Sequence, residues 1–289
     1  MRGGRAYSHV RPTTLTGRLD ALERRGFVLI PDALDGATAA RAEAAVDRIH
    51  AEEAGAGRAG PDGPVHALEV LDRDPVLAEL LVAPAVLPLV CSALGWNIHL
   101  YHSHVDVHPP LPAPPEPVWR WHQDGGRQNL ELETRPVRPR LSIKVGFFLS
   151  DVSRPGCGNM LVIPGSHRRN TLPRPERPEL GFAQPDGAVE VRAAPGTACV
   201  FDRRIWHGRS PNLSAITRKV VFLGFTYRWI RPRHDHAPDL HPGLGPLQRQ
   251  LLGASASQLG YWIPRDEDVP LRGWMREHGL IDPANPAHR

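Results

Sequence analysis

Hydrophobic residues change their period near residue 96, and that change divides the chain. Before it the spacing is helical. Residues 36–54, rich in alanine and glutamate, place Ala42, Val46 and Ile49 on one face, and Asp35 stands where an N-cap belongs. That pattern predicts an amphipathic helix laid against a sheet. Residues 55–64 (GAGRAGPDGP) break it and read as a mobile loop. Residues 75–94 predict a second, strongly apolar helical region, interrupted near Pro84 and Pro88 and ended by Gly95 in a left-handed cap.

From Asn97 onward the period is two. Strands are predicted at 97–107, 141–149, 160–163, 188–192, 198–201 and 220–229, with turn-rich segments and no helix between them. That order argues against a parallel βαβ sheet and for an antiparallel jelly roll, so the expected fold is mainly β with flanking α-helices. One domain spanning 1–289 is expected: a tail (1–15), a mostly helical part (16–95), a jelly-roll core (97–230), and C-terminal loops with a helix (231–289). Residues 109–117 (PPLPAPPEP) cannot form a ladder strand, because proline lacks the N–H donor, and predict a stiff surface loop placed to act as a lid. Residues 125–140 and 231–245 are expected to border the entrance to a site.

Composition narrows the partners. Cys91, Cys157 and Cys199 are widely spaced and odd in number, which points to free thiols in a reducing compartment. The N-terminal residues have no apolar leader pattern and no later stretch reads as a membrane span, so a soluble cytoplasmic protein without membrane partners is expected. The pI near 9.3 comes with a net charge of only +4. Its arginines are dispersed among acids, and Lys144 and Lys219 are the only lysines. No nucleic-acid partner is expected from such a distribution. Oligomeric state is left open.

The candidate chemistry rests on few residues. His122-Gln123-Asp124 and, far downstream, Trp206-His207-Gly208 supply two imidazoles and one carboxylate. That set suits a ferrous ion while leaving half its octahedron to other ligands. Arg218 lies 11 residues beyond His207, across a tight turn, on a predicted strand. There its guanidinium can pair in bidentate fashion with the distal carboxylate of a dicarboxylic co-substrate. A competing set runs from His102 through His104 and Asp106 to His108, four polar residues that alternation puts on one strand face. His102, His104 and Asp106 resemble the zinc ligands of metallo-β-lactamase-like hydrolases, but there the Asp and last His are adjacent, and here Val107 intervenes. The better expectation places this strand inside the barrel with His104 near co-substrate or substrate. HExxH, GxSxG, P-loop and Rossmann patterns are all missing from the sequence.

These motifs, with residues 22–31 (LERRGFVLIP), Asn97-Ile98, His108-Pro109-Pro110, 148–151 (FLSD) and 158–167 (GNMLVIPGSH), resemble the phytanoyl-CoA dioxygenase-like branch of Fe(II)/2-oxoglutarate oxygenases over most of the chain. The spacing from His207 to Arg218 is similar to that family's ligand-to-arginine spacing. The resemblance implies a double-stranded β-helix, the cupin-like form of jelly roll, with Fe(II), 2-oxoglutarate and dioxygen (O2) as cofactor and co-substrates. It implies His122, Asp124 and His207 as metal ligands, Arg218 on the distal carboxylate, and hydroxylation of an unactivated C–H bond in a small molecule, with succinate and CO2 formed. Trp206 and Phe147 are expected to wall the site, with Ser142 or Lys144 adding polar contacts. Halogenating relatives carry a small residue where Asp124 stands, so oxygenation is the expectation. A metal-binding jelly roll without oxygenase activity is the reading from a different class.

Overall fold

A computed structural model describes residues 12–60, 62–115, 120–132, 134–173, 185–237 and 239–289. Most of the expected tail and the end of the proline-rich segment lie outside these residues. In chain order the elements are α1 (Leu15–Arg25), β1 (Phe27–Ile30), α2 (Gly36–Gly55), β2 (Val65–Leu68), α3 (Pro75–Glu79), α4 (Leu87–Leu94) and β3 (Ile98–His108). After them come α5 (Gln128–Glu131), β4 (Ser142–Phe148), β5 (Met160–Val162), β6 (Val189–Glu190), β7 (Ala198–Asp202), β8 (His207–Arg209), β9 (Arg218–Tyr227), α6 (Pro246–Leu251) and α7 (Pro270–Glu277).

The helices form for the reasons the pattern gave. The Asp35 carboxylate accepts from the Thr38 N–H at 2.7 Å and caps α2, whose Ala42, Val46 and Ile49 are buried. The apolar region 75–94 is broken, as expected near Pro84, into α3, a 3₁₀ turn at Leu80–Val82, and α4. Gly95 ends α4 with φ 85° but ψ −169°, so the cap has a positive φ without being left-handed helical. No single helix among the described residues is long and apolar enough to cross a membrane.

Two antiparallel sheets make the barrel: a six-stranded sheet in the order β1-β7-β4-β9-β3-β2 and a three-stranded sheet, β6-β5-β8. The larger sheet has two differently used faces. Its outer face, with Ile143, Val145, Phe147, Val221, Leu223 and Phe225, packs under the helices in the main core. Its inner face, with Phe148, Phe201, Val220 and Phe222, packs against Met160 and Val162 of the smaller sheet.

On β3 the alternation is shifted once. The register with β9 slips between Leu100 and His102, so Tyr101 is a bulge. Ile98 and Leu100 before it, and Val105 and Val107 after it, therefore all face the helical core, while His102, His104 and Asp106 face the interior. Opposite His102 stands Gly224, where a Cβ would fall 2.5 Å from the imidazole, so only glycine leaves room for that ring.

Candidate metal centre

His122 and His207 are tied at the main chain. Each backbone N–H donates to the other's carbonyl at 3.0 Å, a two-residue bridge between the segment before Asp124 and the start of β8. The rings lie 4.3 Å apart, centroid to centroid. Asp124 is fixed by its own N–H, which donates to the Arg203 carbonyl at 3.0 Å, and by the Asn129 amide, which donates to the Asp124 carbonyl. Both imidazole Nε2 atoms then stand 3.9 Å from the Asp124 Oδ1.

Hydrogen bonding decides which ring nitrogens are free. His122 Nδ1 faces the Arg120 carbonyl and His207 Nδ1 the Ile205 carbonyl, each at 2.9 Å. A carbonyl only accepts, so both Nδ1 atoms carry protons and both Nε2 lone pairs point at the space beside Asp124. Burial pushes the His207 pKa down to about 4 against the opposing pull of Asp124, so that imidazole is neutral at physiological pH. Burial alone would raise the Asp124 pKa, but Lys144 and the imidazoles of His207, His122 and His102 hold it well below the usual carboxylate range. Two lone pairs and one carboxylate converge, the chemistry of a divalent transition-metal site.

The triad opens into a cavity of about 490 Å³ between the sheets. Arg218, at the start of β9, lines it while fully buried, and its Nε and Nη1 have no hydrogen-bond partner. Burial lowers its pKa to about 10. Gly158, at φ 69°, makes the space for it, since a Cβ there would lie 2.9 Å from Arg218 Cδ. A buried guanidinium with two unbonded nitrogens is a costly arrangement in the free protein, and a carboxylate would satisfy them.

Of the other residues expected here, His104 lines the cavity, stacked between His102 and Phe222 with centroids 5.4 and 4.8 Å away. Lys144 also points inward, and its Nζ donates to Asp124 Oδ2 at 3.1 Å. Phe147 does not wall the site. It lies on the outer face of β4, one residue out of phase with Lys144, and packs under the helices. Ser142 shares the inward parity of Lys144 but is not among the cavity-lining residues, and its carbonyl accepts from Arg203 N–H at 3.4 Å. Trp206 packs with Trp121, Leu161 and Ile163 outside the cavity. The aromatic walls are Phe201 and Phe222.

The competing set is regrouped rather than assembled. Asp106 accepts from His66, its partner in the β2–β3 register, at 2.5 Å, and His66, His104 and Asp106 converge while His102 does not join them. His66, 40 residues away on a strand the sequence pattern did not give, was not foreseen.

The family model described as Phytanoyl-CoA dioxygenase (PhyH) matches residues 22–220. The chain belongs to that family. Proteins to which it is similar include the L-proline trans-4-hydroxylase of Streptomyces griseoviridis, 26% identical over 58% of this chain and 69% of the relative. The ectoine dioxygenase of Nocardia farcinica is 23% identical over 72% of this chain and 76% of the relative. Among solved structures, HygX from Streptomyces hygroscopicus with nickel and 2-oxoglutarate superposes with TM-score 0.60 at 17% identity, covering 77% of this chain and 91% of HygX. The epimerase SnoN, in complex with Fe3+, alpha ketoglutarate and nogalamycin RO, gives TM-score 0.57 at 20% identity, covering 80% and 91%. These superpositions show the shared jelly-roll fold. As a phytanoyl-CoA dioxygenase family member, the protein is an iron- and 2-oxoglutarate-dependent dioxygenase that uses O2.

Proposed function

We propose that His122, Asp124 and His207 hold the ferrous ion, that Arg218 binds the distal carboxylate of 2-oxoglutarate, and that the enzyme hydroxylates an unactivated C–H bond of a small molecule. The observation that carries this reading is the buried guanidinium of Arg218, with no hydrogen-bond partner on Nε or Nη1, in the same cavity as three converging metal donors. When bound, iron with 2-oxoglutarate and O2 supplies the oxidising power, and succinate and CO2 are the co-products.

The chain's own residues do the rest. His122 and His207 present Nε2 because their Nδ1 protons are committed to carbonyls. Lys144 occupies Asp124 Oδ2, which leaves Oδ1, the oxygen facing both imidazoles, as the donor. Arg218 sets which end of the co-substrate points away from the metal and neutralises it with a side chain that is itself buried. Phe201, Phe222 and Met160 line the cavity with apolar surface that limits water near the reacting bond.

Succinate formation from 2-oxoglutarate, measured with and without added Fe(II), tests the assignment. Iron-dependent succinate that disappears in His122→Ala and that, in Arg218→Met, needs a roughly 30-fold or greater concentration of 2-oxoglutarate supports it. Iron-dependent succinate retained by His122→Ala overturns the ligand set.

A further inference from the structure

The cavity carries more positive charge than the metal and co-substrate account for. Among the described residues its lining holds five cationic side chains, Arg120, Lys144, Arg209, Arg218 and Arg233, against two carboxylates, Asp106 and Asp124. Its buried histidines add no charge: burial pushes His102 down to about 3, and His104 lies well below its ordinary value. A ferrous ion and the two carboxylates of 2-oxoglutarate cancel, so the excess remains after both are bound.

Part of that charge is locally matched. Lys144 pairs with Asp124, and Arg218 and Arg209 both lie in the field of Asp106. Arg120 and Arg233 are different. Among the described residues neither guanidinium makes an ion pair or hydrogen bond. Arg233 rests over the Tyr101 ring at 5.1 Å, which holds it in place without neutralising it. Arg120 also borders an adjoining groove of about 240 Å³ built largely from prolines, including Pro109, Pro110 and Pro211. The one carboxylate on that groove, Asp62, makes no ion pair with it among the described residues.

Position separates Arg233 from the co-substrate's anchor, whereas Arg120, in the field of Arg209 and beside His108, borders the cavity at the anchor's end. Arg218 faces His108 at one end of the β3–β9 ladder, and His102, whose field includes Arg233, faces Gly224 near the other. Six residues of β9 separate the two levels, roughly 20 Å along the strand. One carboxylate cannot serve Arg218 and Arg233 together.

Resting on the reading of this cavity as the oxygenase site, we infer that the substrate is an anion, a carboxylate or phosphate monoester with an apolar body, drawn in by Arg120 and Arg233, the two unpaired cations of the cavity's exposed rim. Unpaired cations at the rim of a low-dielectric cleft concentrate anions and repel amines.

Binding to the nickel- and 2-oxoglutarate-loaded protein tests this without turnover. Four probes share one chain and differ in charge: octanoate, octyl phosphate, octanamide and octylamine. Calorimetry should show one or both anions binding on the order of tenfold more tightly than the amide and amine, with the preference shrinking as salt is raised. Comparison of octanoate with octyl phosphate identifies the favoured group. In the double variant Arg120→Gln/Arg233→Gln the preference should vanish while 2-oxoglutarate affinity is unchanged. Equal or tighter binding of the amide or amine, binding by none of the four, or a preference that survives in the double variant overturns the inference. Failure of 2-oxoglutarate to bind the nickel protein at all would instead sink the oxygenase assignment, so the two failures are distinct.

Discussion

Replacing Arg218 by methionine should do two opposite things. In the free protein the guanidinium is fully buried without a partner on Nε or Nη1, and burial drags its pKa from 12.5 to about 10. At neutral pH it is charged in both folded and unfolded chains, so the folded state bears the whole penalty, ~3 kcal/mol at 1.36 kcal/mol per pKa step. The penalty would ease only above pH 10, as the folded group loses its proton first. Methionine fills a similar volume without charge, so Arg218→Met should raise the thermal midpoint of the metal-loaded protein without co-substrate. The same change removes one side of a buried charge pair with 2-oxoglutarate, a loss of about 2–5 kcal/mol. That corresponds to a roughly 30-fold or greater rise in the 2-oxoglutarate concentration needed for half-maximal succinate formation. Scanning fluorimetry with and without 2-oxoglutarate, alongside the succinate assay, reads both effects. Wild type should gain stability with 2-oxoglutarate and the variant should gain little. An unchanged 2-oxoglutarate dependence would refute the reasoning and move the anchor to another cation of the cavity, with Arg209 the nearest choice by its field on Arg218.

Three further outcomes follow. His122→Ala and His207→Ala should each lose iron in equilibrium dialysis and all succinate formation, because two donors do not hold ferrous ion against water, and full turnover by either would remove it from the ligand set. Lys144→Met should weaken metal binding by roughly tenfold by freeing Asp124 Oδ2, and Lys144→Arg should restore most of it; equal loss in both would mean that Lys144 acts only through packing. His99, pushed down to about 4 chiefly by burial, refuses a proton that the unfolded chain takes up near pH 6.5, so stability should fall by up to ~3 kcal/mol between pH 6.5 and 4. His99→Gln should flatten the thermal midpoint over that window, and an unaltered slope would assign it to other groups.

That His122, Asp124, His207 and Arg218 border one cavity was legible because they sit in short motifs and at a fixed spacing along the chain. The jelly roll was legible from period-two runs, although the short strands β2 and β8 carry too few residues to show a period. Phe147 was misplaced for a physical reason. The run from Ser142 to Phe148 is buried along nearly its whole length, so apolar character marks both faces, and only Lys144 sets the parity. With Lys144 inward, Phe147 must face outward. The His66–Asp106 contact depended on the register of two strands far apart in sequence, and local pattern holds no record of that. The bulge at Tyr101 was equally hidden, since a one-residue slip shows only when a partner strand is present.

The reciprocal main-chain bonds between His122 and His207 leave their mark on how this fold can change. The scaffold that sets the two positions opposite each other is written in amides, which every residue but proline possesses, and owes nothing to the imidazoles hung upon it. A substitution at either position, or at Asp124, alters what the pocket offers a metal while the frame stays in place. Reactivity can therefore be traded one codon at a time against a constant architecture, and the architecture outlives any particular chemistry it hosts.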